Sequence, residues 1–389
     1  MKIGIEGQRL FRIKKHGMDM VALELVNSLQ KLDHDNEYVV FVKPDEDNHA
    51  LKATANFKIV ELAGGPYPIW EQFALPRAAK KEGCDILHCT SNTAPIFLDI
   101  PLVTTLHDII YMESVSVFNK AGTWYQKFGN MYRRLIVPRI VKNSAKIITV
   151  SKFERNRIAD FFKIPKADNK LVAIYNGVTT HFRKINDKNE LNRVKQLYNL
   201  PDNFLFFLGN TDPKKNTPGV LKAFSEYLLQ TGADMYLVML DYEQSALDKI
   251  LSDIGNKNLK SRILLTGYVV NSDLPAIYNL CSIFLYPSLR ESFGIPMLEA
   301  MRCGVPVITS NTSSMPEVSG GAAYIIDPYM PNEITDAIIE LLNNKHLRDD
   351  FIEKGYIQSQ QFSWENMAKD VLELYKTVYK KNHPDDLTL

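Results

Sequence analysis

Short apolar runs separated by segments of helical period organise the chain from end to end. Lys2–Glu6, Tyr38–Val42, Lys58–Leu62, Asp85–His88, Leu102–Leu106, Lys146–Val150 and Val172–Tyr175 each have the length of a buried strand. Segments such as Met20–Leu29 and Glu71–Lys81 place apolar residues at helical spacing between them. The pattern then repeats, with strands predicted at Phe204–Leu208, Met235–Leu240, Ile263–Leu265, Ile283–Tyr286, Val307–Thr309 and Ala323–Ile326 and helices at Thr217–Leu229, Gln244–Ile254 and Asn332–Leu342. Strands alternating with helix-length spacers predict parallel, doubly wound α/β sheets. The polar, charged run His181–Glu190 reads as a linker. The boundary is therefore expected between Asn176 and Glu190, giving domains of residues 1–182 and 183–364 and a final helix in 365–389. In that helix Ser363 suits the N-cap, and Met367, Val371 and Leu374 form an apolar stripe.

The stretch from Cys281 to Val307 carries the most chemistry. After the strand Ile283–Tyr286, Pro287 and Ser288 stop the run, Ser292–Gly294 turn the chain, and a helix is expected from Ile295 with Pro296 in its first turn, where a missing N–H costs nothing. Backbone N–H groups around Phe293, Gly294 and Ile295 would face the helix N-terminus and favour an anion such as phosphate. Glu291 before the turn and Glu299 one turn into the helix place two carboxylates beside that position. They can accept hydrogen bonds from hydroxyls on either side of it, as in a sugar joined through a diphosphate to a ribose.

Composition narrows the classes. The 389 residues exceed one ordinary core, and a formal net charge of +1 speaks against a globally basic nucleic-acid binder. Four cysteines are too few for a disulfide framework, no apolar run reaches the length of a membrane span, and the chain opens directly into MKIGIE. A cytoplasmic protein is expected. The first strand is not followed by G-x-G-x-x-G, and no G-x-x-x-x-G-K-[ST] occurs, so neither nucleotide fingerprint is present. Cys84, His88 and Cys89 lack a second ligand pair and the Asp-x-Asp matches, Asp33–Asp35 and Asp45–Asp47, lie in polar stretches, so no metal is expected. One further segment stands out. Residues 119–143 carry Lys120, Lys127, Arg133, Arg134, Arg139 and Lys142 without an acid, interleaved with Trp124, Tyr125, Phe128 and Tyr132. This basic aromatic helix suits an anionic acceptor or a membrane surface, or else a charged face over an aromatic core stripe.

Glu291-Ser-Phe-Gly-Ile-Pro-Met-Leu-Glu299, followed by Ala-Met-Arg-Cys-Gly304-Val-Pro-Val-Ile and Ser314-Met-Pro-Glu317-Val, resembles the E-x7-E block of the retaining glycosyltransferase family 4. The family usually has Gly where Ser292 stands. The resemblance implies the GT-B fold, two facing Rossmann-like domains with a cleft between them and a last helix crossing back onto the first. It implies a donor diphosphate at Lys215 of Gly209-Asn-Thr-Asp-Pro-Lys-Lys-Asn216, at Gly17 in the loop before the first helix, and at Phe293, Gly294 and Ile295. Asn210 takes the place of a frequent Arg in that set. Glu299 is implied to hold the ribose, backbone atoms of Gly267, Tyr268 and Val269 the base, and His107, Asp108 and Glu291 the reacting sugar.

The expected function is a retaining, metal-independent transfer of a mannose- or glucose-type hexose from a nucleotide sugar, GDP-mannose or a UDP-hexose, to a glycan or lipid-linked acceptor. No cofactor is needed, no nucleic acid partner is expected, and peripheral contact at the inner membrane face through residues 119–143 fits such an acceptor. A sugar-nucleotide epimerase of the same architecture and a non-enzymatic sugar-binding protein are the competing readings.

Overall fold

The computed structural model describes residues 1–15, 17–113, 124–165 and 168–384. The chain forms two compact units, one of Met1–Gly177 with Trp364–Leu389 and the other of Val178–Ser363. In the first, seven strands run β1 (Lys2–Glu6), β2 (Glu37–Val42), β3 (Phe57–Glu61), β4 (Ile86–Cys89), β5 (Leu102–Thr105), β6 (Lys146–Thr149) and β7 (Leu171–Ala173). They lie in the order β3-β2-β1-β4-β5-β6-β7, and every pairing is parallel. The second has β8 (Phe204–Phe207), β9 (Tyr236–Met239), β10 (Ile263–Leu265), β11 (Ile283–Tyr286), β12 (Val307–Ser310) and β13 (Tyr324–Ile326), again parallel, in the order β10-β9-β8-β11-β12-β13. Parallel sheets are covered on both faces, which is why strands such as Phe204–Phe207 and Ile283–Tyr286 are apolar throughout and buried at every position.

Chain reversal in each sheet falls beside its first strand, where β1 lies between β2 and β4, and β8 between β9 and β11. Open α/β sheets bind ligands at such switch points, beyond the carboxyl ends of the strands. The sequence therefore sets its chemistry-bearing loops side by side: those after β1, β4 and β5 in one unit and those after β8 and β11 in the other.

Several elements differ from expectation. The first helix begins at Gly17, three residues earlier than its periodicity suggests, and runs to Leu32. The stretch beginning at Glu71 is not a single α-helix, because a π-helical turn, Trp70–Ala74, separates Tyr67–Ile69 from Leu75–Lys81. The supposed linker contains the start of a helix, Lys188–Leu197, capped by Asp187, whose side chain accepts the Asn189 N–H. The last helix, Trp364–Asn382, buries Met367, Val371 and Leu374 as its pattern requires. It packs on the helix Gly17–Leu32, and its Tyr375 hydroxyl lies 2.6 Å from His88 Nδ1.

Candidate functional site

In the second unit the adjacency of β8 and β11 decides the geometry. β8 leads into the short 3-10 turn Pro213–Lys215, and β11 leads into the loop carrying Glu291. Because the strands pair directly, the loops meet, and Leu289 N donates to Lys214 O at 2.7 Å. Lys215 Nζ stands 2.6 Å from Glu291 Oε1 and 5.1 Å from the centre of the Tyr286 ring. Both charged side chains are largely withdrawn from solvent, at 15% and 13% exposure. Lys214, one residue earlier, is 38% exposed and lies 3.5 Å from Asp212. Asn216, in the left-handed region with φ 61°, donates to the carbonyls of Pro287 and Pro328 and ties these loops to the one after β13. A Cβ at Gly219 would lie 2.4 Å from Asn216 Oδ1, so that tie requires glycine there.

Gly294 adopts φ +101° and caps the helix Ile295–Arg302. Glycine meets that angle without strain, and the turn leaves the first N–H groups of the helix free of intrahelical partners. The buried Ser314 hydroxyl lies 3.1 Å from Glu291 O and 3.0 Å from Phe293 O, which fixes the turn from below. Phe293 is buried, and Ser292 occupies the turn without a positive φ. Met297, Leu298 and Met301 anchor the helix in the core. Glu299 leaves that stripe half-buried and accepts a 3.0 Å hydrogen bond from Tyr278 Oη. Burial pushes its carboxyl up to about 7, against the opposing pull of the Tyr278 hydroxyl.

Two other groups of residues follow strands of this sheet, Asn210 after the interior strand β8 and Gly267–Val269 after the edge strand β10. Asn210 is exposed and its Oδ1 accepts the Asp212 N–H at 2.9 Å, so its side chain shapes its own turn. Gly267 has φ +70°, and its carbonyl accepts from Asp241 N at 3.0 Å. Tyr268 is 73% exposed and Val269 half-buried, which leaves the loop's backbone accessible.

In the first unit β4 and β5 bring the strand ends at Thr90 and His107 together. His107 is buried, its backbone N–H donates to Asn92 Oδ1 at 2.6 Å, and its Nε2 lies 3.0 Å from Thr90 O. A carbonyl can only accept, so Nε2 carries the proton and Nδ1 is left as an acceptor. Burial lowers its pKa, which keeps the ring neutral. His88 is fully buried between Tyr375 and Thr105, and burial holds it down to about 3. Asp108 Oδ1 accepts the Ile110 N–H at 3.2 Å, a capping contact for the turn Ile110–Glu113. Gly17 opens its helix with no atom near its missing side chain.

Cys84 and Cys89 are buried free thiols, Asp33 accepts from Tyr38 Oη and Asn36, and Asp47 pairs with Lys15 at 2.5 Å. Sequence reasoning did not single out Gln8, Arg9, Arg12, Lys43 or Tyr67, which line a cavity described below, or Glu71 behind Tyr67. They come from separate loops, and only the turn Gly7-Gln8-Arg9 directly after β1 carried a local signal.

Two parallel-sheet, Rossmann-like units of seven and six strands define the GT-B class of α/β fold. Residues 188–358 match the family model described as glycosyl transferases group 1, and residues 16–182 match glycosyltransferase family 4. The chain is 31% identical over 275 residues to O-antigen chain mannosyltransferase B of Escherichia coli, covering 70% of each protein. It is 30% identical over 244 residues to the serotype-specific mannosyltransferase WbdA of the same species, 62% of this chain but 30% of that longer protein. Anabaena Alr3699/HepE, solved in complex with UDP and glucose, superposes with TM-score 0.72 over 97% of this chain and 100% of its own at 17% identity. The chain belongs to the group 1, family 4 glycosyltransferases.

Proposed function

We propose that the protein transfers a hexose, with retention at the anomeric carbon and without a metal, from a nucleotide sugar to a glycan or lipid-linked acceptor in polysaccharide or glycoconjugate synthesis. The observation that carries this is the Lys215–Glu291 pair beside the Gly294 helix start. The mannosyltransferase relatives favour mannose, and hence GDP-mannose over a UDP-hexose, as the donor. As the bond from C1 to the diphosphate breaks, negative charge grows on the departing phosphate oxygen. The Lys215 ammonium and the N–H groups of Gly294 and Ile295 meet that charge, preorganised and at little reorganisation cost. The acceptor hydroxyl forms its bond to C1 on the face the phosphate leaves and passes its proton to a phosphate oxygen. The products are the glycosylated acceptor and the nucleoside diphosphate. Glu291 holds donor-sugar hydroxyls, Glu299 the ribose, and neutral His107 offers Nδ1 as an acceptor to a sugar hydroxyl, with Asp108 holding the turn behind it. Gly17 and Asn210 contribute to the diphosphate and the backbone of Gly267, Tyr268 and Val269 to the base.

Turnover and binding with GDP-mannose, UDP-glucose and UDP-galactose test the proposal. Glu291→Ala should lower kcat far more than it weakens the nucleoside diphosphate, and chelator should leave kcat unchanged. An isomerised nucleotide sugar would point instead to the epimerase, and binding without consumption to a carrier.

A second observation supports contact with a membrane surface. The helix Trp124–Asn143 turns Ile136, Val137, Ile140 and Val141 into the core, whereas Phe128, Met131 and Leu135 are each at least half exposed on another face, with Arg139 and Lys142 exposed further along. Of the aromatic residues on this helix, Phe128 is exposed and Tyr132 is half-buried against the core. Residues 119–123, including Lys120, lie outside the described residues, and of Trp124, Tyr125 and Lys127 only the backbone is described. Among the described residues no helix is long and apolar enough to cross a membrane. An exposed apolar row with flanking cations suits an interface, where it lies in the headgroup plane.

A further inference from the structure

A cavity of about 430 Å³ opens within the first unit, and its polarity is unusual. Arg9, Arg12, Lys43 and Arg133 contribute to its lining, and none of its lining residues is acidic. Arg9 stacks its guanidinium 5.5 Å from the centre of the Tyr67 ring, has no hydrogen-bond partner for its buried Nε, and pairs loosely through Nη1 with Asp19 Oδ1 at 3.9 Å. Among the described residues Arg12, Lys43 and Arg133 have no carboxylate partner. Arg133 is steadied by Asn130 at 3.0 Å and by the Tyr111 ring, and Lys43 by the Gly65 carbonyl at 3.3 Å.

The inner wall is built for hydroxyl donors. Glu71, fully buried in the π-helical turn, accepts from the hydroxyls of Tyr67, of Thr93 at 2.5 Å and of Tyr132 at 2.6 Å. The Tyr67 and Thr93 oxygens also lie 2.5 Å apart, so one of them donates to the other, and the Tyr132 oxygen accepts from Gln72 Nε2 at 2.8 Å; the wall is a hydrogen-bonded hydroxyl network whose remaining lone pairs can accept from a ligand. Gln8 adds an independent sign. It is 5% exposed, it lines the cavity, and its Oε1 has no hydrogen-bond partner. A buried carbonyl left without a donor is costly, and a ligand hydroxyl supplies one. Tyr67, Tyr132 and the exposed Phe128 provide ring faces beside it.

We propose that this cavity receives a phosphorylated saccharide, with sugar hydroxyls donating to Gln8, Tyr67 and Tyr132 and the phosphate held by Arg9, Arg12, Lys43 and Arg133. This rests on the transferase reading, and makes the cavity the place where the acceptor's charged end is recognised. Arg12, Lys43 and Arg133 without a carboxylate partner, beside Arg9, exceed what a neutral glycan needs, and the buried Gln8 carbonyl with the hydroxyl wall exceeds what a bare anion needs.

The test uses the full chain with its donor site filled by saturating GDP or UDP, and calorimetric titration of mannose 1-phosphate, mannose, glucuronate and inorganic phosphate. Failure of both nucleotides to bind would strike at the transferase reading; the cavity is judged from the titrations themselves. Mannose 1-phosphate should bind at least about 10-fold more tightly than either mannose or inorganic phosphate, and Arg12→Ser with Arg133→Ser should remove that margin. Gln8→Leu should weaken mannose 1-phosphate and mannose alike while the Tm holds or rises, an outcome a purely structural Gln8 would not give. Octyl mannosyl phosphate, a diester, separates the sources: its tighter binding assigns a lipid-linked saccharide, and tighter monoester binding a soluble sugar phosphate, and both sustain the proposal. Equal affinity for mannose and mannose 1-phosphate, preference for glucuronate, or an arginine double variant that binds as wild type would overturn it.

Discussion

Lys215 Nζ and Glu291 Oε1, 76 residues apart in sequence, form a 2.6 Å ion pair because β8 and β11 are neighbours in the sheet. The pair joins the residue that should meet the donor diphosphate to the one that should hold the donor sugar. It also gives both residues a structural share, since each is mostly out of solvent.

Lys215→Ala should therefore weaken the nucleotide sugar by about 10- to 150-fold, the loss of a charge-assisted contact of about 1.5–3 kcal/mol. It should also lower stability by about 1–3 kcal/mol, because Glu291 is left without its cation. Lys214→Ala, at a partly exposed position, should do neither. Calorimetry and denaturant unfolding of both variants check this, and Lys214→Ala weakening the donor while Lys215→Ala leaves it unchanged would reverse the assignment.

Glu299, proposed to hold the ribose, should make nucleotide-sugar binding pH-sensitive. Its carboxyl is raised from 4.5 to about 7, mainly by burial. The folded state thus keeps a proton that the unfolded chain has lost, and the stability this gives is complete below 4.5 and disappears as pH rises through about 7. At about 1.4 kcal/mol per pH unit the whole effect is about 3 kcal/mol. Ribose hydroxyls prefer the ionised carboxylate, so affinity for an intact nucleotide sugar should rise with pH up to about 7 and then level off. Glu299→Gln should flatten both profiles, and an unchanged pH dependence of binding in that variant would remove Glu299 from the ribose site.

The exposed row Phe128, Met131 and Leu135 should bring the protein to anionic vesicles. Each nearby cation adds up to about 1 kcal/mol, so binding should weaken steeply with salt. Arg139→Glu with Lys142→Glu should reduce sedimentation with phosphatidylglycerol vesicles, and Leu135→Ser should reduce what remains at high salt. No binding at low salt would remove this surface from the account.

The sheets were legible because a parallel strand buried on both faces has to be apolar throughout, as Phe204–Phe207 and Ile283–Tyr286 are. The start of the helix at Ile295 was legible for a similar local reason, since Gly294 and Pro296 each restrict the backbone. The cavity over Glu71 was not. Its helical period concealed the π-helical turn, and its partners Tyr67, Thr93 and Tyr132 lie 4, 22 and 61 residues away, so only the fold assembles them. The Lys215–Glu291 pair stayed hidden for the same reason, because it depends on strand order, which the periodicity of a single strand does not encode.

The central claim is retention by a site whose phosphate group leaves and whose acceptor attacks on one face. Proton NMR of the hexose released by slow hydrolysis of GDP-α-mannose or UDP-α-glucose, read before mutarotation and with chelator present, tests it most directly. The account predicts the α-anomer first, at a rate chelator does not change and Glu291→Ala suppresses. The β-anomer appearing first, or release that stops with chelator and returns with a divalent ion, would contradict it.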